Sequence, residues 1–146
     1  MQANAPETLT ALSSGSALKV LVIDDHRTMR KIIARCLRAI GITDISDAAN
    51  GAVALEWLAG ANNDPDVIIC DLHMDEMDGL EFCNRVRRGK GLRDNNIPIL
   101  LLTGESDSML LEVAQQVGVS NVLQKPISPP DLGAAIGAVV GFDIAC

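Results

Sequence analysis

Val67-Ile68-Ile69-Cys70 is an apolar run closed by Asp71. It shows no polar alternation, so it reads as a strand covered on both faces, as in a parallel sheet. Three other runs end in the same manner. Lys19-Val20-Leu21-Val22-Ile23 is closed by Asp24-Asp25, Ile99-Leu100-Leu101-Leu102 by Thr103, and Val122-Leu123-Gln124 by Lys125, which Pro126 follows. In an open α/β sheet the ligand site lies at the carboxyl ends of the strands. The four ends therefore gather three carboxylates, a hydroxyl and an ammonium. That inventory suits a divalent cation and a phosphoryl group.

Helices alternate with these strands. Apolar spacing predicts a helix over Arg27–Ile40, with Met29, Ile32, Ile33, Cys36, Leu37 and Ile40 on one face, stopped by Gly41. A short strand is expected at Asp44–Ala48, then a turn at Asn50-Gly51 and a helix over Ala52–Ala59 ended by Gly60. Asp64-Pro65-Asp66 punctuates before the third strand. Asp78-Gly79 opens a helix to Arg88 with Leu80, Cys83 and Val86 inward. A basic loop leads into Ile97–Leu102. Ser106–Val117 is a fourth helix ended by Gly118, and Val119–Gln124 a fifth strand. Ser128 is the expected N-cap of the last helix, with Pro129 at its first position and an end near Val140. The fold class is α/β: a (βα)5, doubly wound, five-stranded parallel sheet with right-handed crossovers. Residues 18–142 form one domain, 1–17 a flexible lead-in and 143–146 a tail.

The 146 residues suffice for one domain with a real core. An apolar content of 48% marks a packed globule. No apolar stretch reaches the roughly 18 residues of a membrane helix, and the first 16 residues lack the basic and apolar segments of a secretion signal. Cys36, Cys70, Cys83 and Cys146 form no C-x-x-C pair; the first three fall at apolar positions and read as small buried hydrophobes in a reducing cytoplasm. The net charge is −7. Arg27, Arg30, Lys31, Arg35 and Arg38 line the first helix, and Arg85, Arg87, Arg88, Lys90 and Arg93 crowd one loop; both groups read as solvated. From residue 104 onward acids dominate, which argues against nucleic acid binding there.

The strand-end chemistry can be built residue by residue. Asp24 and Asp25 are adjacent; one could cap the first helix, but one cap needs one side chain. Added to Asp71 they form a cluster that a hard cation such as Mg²⁺ would offset, bound through one or two carboxylates, waters and substrate oxygens. A carboxylate beside such an ion can attack phosphorus and form an acyl phosphate, the role open to Asp71. Lys125 can pair with Asp71 and then hold a phosphoryl oxygen, and Thr103 can donate its hydroxyl to another.

Asp24-Asp25, Asp71-Leu72-His73-Met74, Met77-Asp78-Gly79-Leu80, Thr103-Gly104 and Lys125-Pro126 together resemble the receiver domain of two-component response regulators. The resemblance covers Leu18 to Val140. It implies a flavodoxin-like, CheY-like sheet of order 2-1-3-4-5. It further implies that Asp71 accepts phosphate from a sensor histidine kinase or a histidine phosphotransfer protein. Mg²⁺ would be held directly by Asp25, Asp71 and the backbone carbonyl of His73, and through water by Asp24. Thr103, Gly104 and Lys125 would receive the phosphoryl group, and a kinase or phosphotransfer partner would dock near the first helix. Three positions depart from the common pattern. Asp75 stands where proline is frequent. His73, with Glu105, occupies positions that tune phosphoryl lifetime. Val122 replaces the aromatic residue that rotates as a switch in many relatives.

The expected function is that of a single-domain response regulator, with no enzymatic activity beyond Mg²⁺-dependent self-phosphorylation and self-dephosphorylation. It would switch an unnamed protein target or relay its phosphate. Met109-Leu110-Leu111 offers more apolar surface than one buried face needs, so a partner or a second copy is expected at the face of helix 4, strand 5 and helix 5. An aspartyl phosphohydrolase of the haloacid dehalogenase type is disfavoured, because D-x-D is absent at Asp24-Asp25-His26 and Asp71 follows the third strand. A receiver-like interaction module that works without phosphorylation is the alternative.

Overall fold

A computed structural model describes residues 18–89, 94–104 and 108–141. The lead-in, the tail with Cys146, the basic segment 90–93 and Glu105 lie outside the described residues.

Ten elements alternate: β1 (Lys19–Ile23), α1 (Arg27–Ala39), β2 (Asp44–Ala48), α2 (Gly51–Leu58), β3 (Val67–Asp71), α3 (Gly79–Arg88), β4 (Ile99–Thr103), α4 (Ser108–Val117), β5 (Asn121–Gln124) and α5 (Pro129–Val140). The strands form one parallel sheet in the order β2-β1-β3-β4-β5.

The continuous apolar runs become alternating in space, because successive residues of a strand face opposite sides. Val20 and Val22, Val67 and Ile69, and Leu100 and Leu102 face a core closed by Ile33 and Leu37 of α1 and by Leu132 and Ile136 of α5. Leu21 and Ile23, Ile68 and Cys70, and Ile99 and Leu101 face a second core closed by Ala54 and Leu58 of α2 and by Phe82, Cys83 and Val86 of α3. Each buried aliphatic side chain contributes about 1.5–3 kcal/mol. This explains why Val20–Ile23 of β1, Val67–Cys70 of β3 and Ile99–Leu102 of β4 hold no polar residue.

Local chemistry sets the boundaries. Gly41 (φ +90°) and Gly118 (φ +100°) end α1 and α4 in the left-handed conformation. In each case the next residue bonds back across the turn: Ile42 N–H to Leu37 O at 3.0 Å, and Val119 N–H to Ala114 O at 2.9 Å. Val119 is thus held by α4, and β5 begins at Asn121, two residues later than expected. β4 begins at Ile99, since Pro98 has no N–H to give the ladder, although its carbonyl accepts from Ile68 at 2.9 Å. Asn50 is an N-cap, its Oδ1 accepting from Val53 N–H at 2.8 Å, so α2 starts at Gly51. Ser128 caps α5 through Asp131 N–H at 3.2 Å, with Pro129 behind it.

Three expectations about burial need correction. Ile32 is 41% exposed, because the stripe that α1 buries is narrower than six residues. Phe82, absent from the expected inward set of α3, is fully buried and is the largest side chain of the second core. Arg87 is no solvated loop residue. Its guanidinium donates to the carbonyls of Asn95 (2.8 Å), Ile97 (2.8 Å) and Gly118 (3.0 Å from Nε, 2.8 Å from Nη2).

Candidate functional site at the carboxyl edge of the sheet

β1 and β3 pair in register from Val20↔Val67 to Ile23↔Cys70, so the residues that follow, Asp24 and Asp71, leave the sheet side by side. β4 carries Thr103 to the same edge, and Lys125 N–H donates to Thr103 O at 2.7 Å, tying the ends of β4 and β5 together. The Lys125–Pro126 peptide is cis. Lys125 Nζ reaches Asp71 Oδ1 at 2.8 Å, spanning two strands. Asp71 is only 5% exposed, while Lys125 is 28% exposed, so the ammonium approaches from the solvent rim.

Asp24 is fully buried. Its Oδ1 accepts from His26 N–H at 2.8 Å, and its own N–H donates to Ala48 O at 3.2 Å. Neither Asp24 nor Asp25 is the cap of α1; that position belongs to His26, whose side chain makes no capping bond. Burial raises the carboxyl pKa of Asp24 above its ordinary value of 3.8; Asp71 and Asp25 raise it further, while the His26 N–H bond and Lys125 pull it down. Two buried oxygens, Asp24 Oδ2 and Asp25 Oδ1, have no hydrogen-bond partner. Orphaned acceptors among like charges are costly. A hard cation is the ligand that relieves both terms, so the residues fit the metal that the pattern implies.

The loop between β3 and α3 is pinned at both ends. Leu72 N–H donates to Leu102 O at 2.9 Å and Gly79 N–H to Leu72 O at 2.8 Å. A Cβ on Gly79 would come within 2.7 Å of the Asp71 carbonyl oxygen and 2.8 Å of Leu101, so only glycine lets α3 start so close to the acceptor strand. Asp78 caps α3 by accepting from Glu81 N–H at 2.8 Å. In the non-helical stretch between these anchors Glu76 takes φ +68°.

Asp24, Asp25, Asp71, Thr103 and Lys125 therefore stand at one edge, as the strand ends predict. Within it there are two subgroups. The ligand atoms of Asp24, Asp25 and His26 lie within 4.8 Å of one another, whereas Asp71 is paired with Lys125. The His73 side chain is exposed and lies outside the tight cluster, and Gly104 is exposed at the rim with open space around its Cα. Two contributors escape the sequence reading. Arg30 belongs to no solvated stripe: it is 16% exposed and bridges Asp24 O (2.7 Å) and Asp47 Oδ2 (2.9 Å), fixing the loop that carries the acidic pair. His26 directly follows that pair, and its contiguity was the available signal.

Residues 20–137 match the model of the response regulator receiver domain. The chain belongs to this family. It is 37% identical over 124 residues to the chemotaxis protein CheY1 of Helicobacter pylori, covering 85% of this chain and 98% of that protein. It is 34% identical over 137 residues to the sensor histidine kinase CheAY of the same organism, covering 94% of this chain and 16% of that one. Among solved structures, chemotaxis protein CheY4 of Vibrio cholerae superposes with a TM-score of 0.73 at 33% identity, covering 84% of this chain and 98% of that one. The chain is thus a CheY-like response regulator receiver, a signalling domain of two-component systems. No helix among the described residues is long and apolar enough to cross a membrane.

Proposed function

We propose that Asp71 is the phosphoacceptor of this receiver. The observation that carries the reading is the 2.8 Å contact between Lys125 Nζ and Asp71 Oδ1, which aims one buried carboxylate at an ammonium at the edge that also holds the acidic pair Asp24-Asp25. An Asp71 oxygen attacks the phosphorus of a phosphohistidine on a kinase or phosphotransfer protein. The P–N bond breaks, the imidazole leaves with the electron pair and takes a proton, and an acyl phosphate remains. Lys125 then exchanges its carboxylate partner for a phosphoryl oxygen, and Thr103 and the Gly104 backbone meet the others. Asp25, Asp71 and the His73 carbonyl are the direct ligands we assign to Mg²⁺, with Asp24 acting through water. The ion, when bound, neutralises charge on the transferring group.

The domain is a switch and not a turnover catalyst, and its location is cytoplasmic, where histidine kinases present their phosphohistidines. Its output surface is α4 with β5 and α5, where Met109 is 71%, Leu111 50% and Val113 37% exposed. That face takes a protein target or a second copy of the chain. Incubation with a small acyl phosphate and Mg²⁺ should add one phosphoryl group, detected by intact mass. Equal labelling of Asp71→Asn would overturn the assignment, and labelling that persists after chelation would remove the metal from it.

A further inference from the structure

We propose that His26 is a metal ligand, so that the acidic pocket presents a mixed nitrogen–oxygen donor set and takes a borderline transition-metal ion as well as Mg²⁺. The inference deepens the reading of Asp24 and Asp25 as a cation site and rests on it.

His26 Nδ1 lies 3.0 Å from Asp25 Oδ1 and 3.5 Å from Asp24 Oδ1. Around an ion with bonds of about 2.1 Å, neighbouring ligands are about 3.0 Å apart in an octahedron and about 3.4 Å apart in a tetrahedron. Both separations are short enough for the imidazole and the two carboxylates to share one ion. One ligand atom from each of Asp24, Asp25 and His26 fits within 4.8 Å, the only such trio among the described residues. The carboxylates are also poorly satisfied without an ion. Asp24 is fully buried, yet its Oδ2 has no partner. Asp25 Oδ1 makes no hydrogen bond despite the imidazole at 3.0 Å.

The backbone organises the trio. Asp24 Oδ1 accepts from His26 N–H at 2.8 Å, which closes a local ring and holds the first carboxylate against the residue that carries the imidazole. Arg30 fixes the carbonyl of Asp24 from the other side at 2.7 Å. The imidazole is 76% exposed, so it can swing onto an ion without disturbing the core. Mg²⁺ is hard, prefers oxygen and gains little from a nitrogen donor, whereas Co²⁺, Ni²⁺, Cu²⁺ and Zn²⁺ favour imidazole. His26 therefore acts on metal choice, and oxygen-only ligation of Mg²⁺ proceeds without it.

The test uses tag-free full-length protein stripped of metal. Mg²⁺ and Co²⁺ are titrated calorimetrically into wild type, His26→Asn, His73→Asn and Asp25→Ala, with melting curves confirming that each variant is folded. His26→Asn should lower Co²⁺ affinity by about tenfold or more while Mg²⁺ affinity stays within about twofold. Pulsed electron paramagnetic resonance on the Cu²⁺-loaded protein should show imidazole nitrogen coupling in wild type and His73→Asn and none in His26→Asn. Co²⁺ affinity unchanged in His26→Asn, or nitrogen coupling that survives there, overturns the proposal. Mg²⁺ affinity unchanged in Asp25→Ala overturns the cation-site reading itself, whatever His26 does.

Discussion

Arg87 and Gly118, 31 residues apart, are joined by two hydrogen bonds from one guanidinium to one carbonyl, at 3.0 and 2.8 Å. The same guanidinium holds the carbonyls of Asn95 and Ile97, and its stem packs against Gly118, where an added Cβ would meet Arg87 Nε at 3.1 Å. One side chain thus fastens the end of α3 to the entry of β4 and the turn before β5. The planar fork of five donors makes this possible, and lysine has no equivalent.

Arg87→Ala should therefore destabilise the fold by about 2–3 kcal/mol, since several acceptors lose a charged donor together. Urea unfolding followed by the single tryptophan, Trp57, measures it. Arg87→Lys should recover less than half. Full stability in the alanine variant would show that water replaces the clasp at no cost.

Asp24→Asn should stabilise the metal-free protein at neutral pH. The variant keeps the acceptor for His26 N–H and removes a fully buried charge. A gain of about 1 kcal/mol would raise Tm by about 3–5 °C in a domain of this size. The sign of the pH dependence follows from the raised pKa of Asp24. Above that pKa the folded state carries the full cost of the ionised group. As pH falls through it towards 3.8, the folded protein takes up a proton before the unfolded chain does and the cost disappears. The advantage of the variant should shrink over that window. A gain that stays constant with pH would locate its origin elsewhere.

Mg²⁺ should raise the melting temperature of wild type, because an ion that binds only the folded pocket stabilises it by about 2.7 kcal/mol at a hundred times its dissociation constant. Asp25→Ala should lose most of this shift in differential scanning calorimetry. An equal shift in both proteins would place the ion outside the acidic pair.

Phosphorylation should perturb the amides of Gly104 and α4 more than those around Val122. Val122 is half-buried against the second core and too small to carry a ring rotation to the surface, whereas α4 contributes one buried residue, Ala114. Chemical-shift mapping of the beryllofluoride form reads the difference. Changes centred on Val122 with α4 unmoved would reverse the assignment.

The sheet was legible because β1, β3 and β4 are unbroken apolar runs and because glycines mark where helices stop. The edge cluster was legible because a parallel sheet delivers every strand end to the same side. Side-chain reach was not legible. Arg30 and Arg87 look like members of basic stripes, and only packing reveals that each ends on backbone carbonyls. Phe82 was missed because Leu80, Cys83 and Val86 already fill a plausible stripe. For His26 the sequence offered only its contiguity with Asp24-Asp25, and the approach of its imidazole to both carboxylates emerges only in the fold.

The burial of the strands gives the two partners of the Asp71–Lys125 pair unequal compliance. Every residue of β3 is buried between two paired neighbours, while β5 is a four-residue edge strand whose end residues are exposed. Pulling the pair apart or together therefore displaces the margin and not the middle. Asp71 is the more firmly seated partner, so a change in the 2.8 Å contact should be taken up by the Lys125 side chain and the turn into α5. Amide exchange should rank accordingly, slower along β3 than along β5.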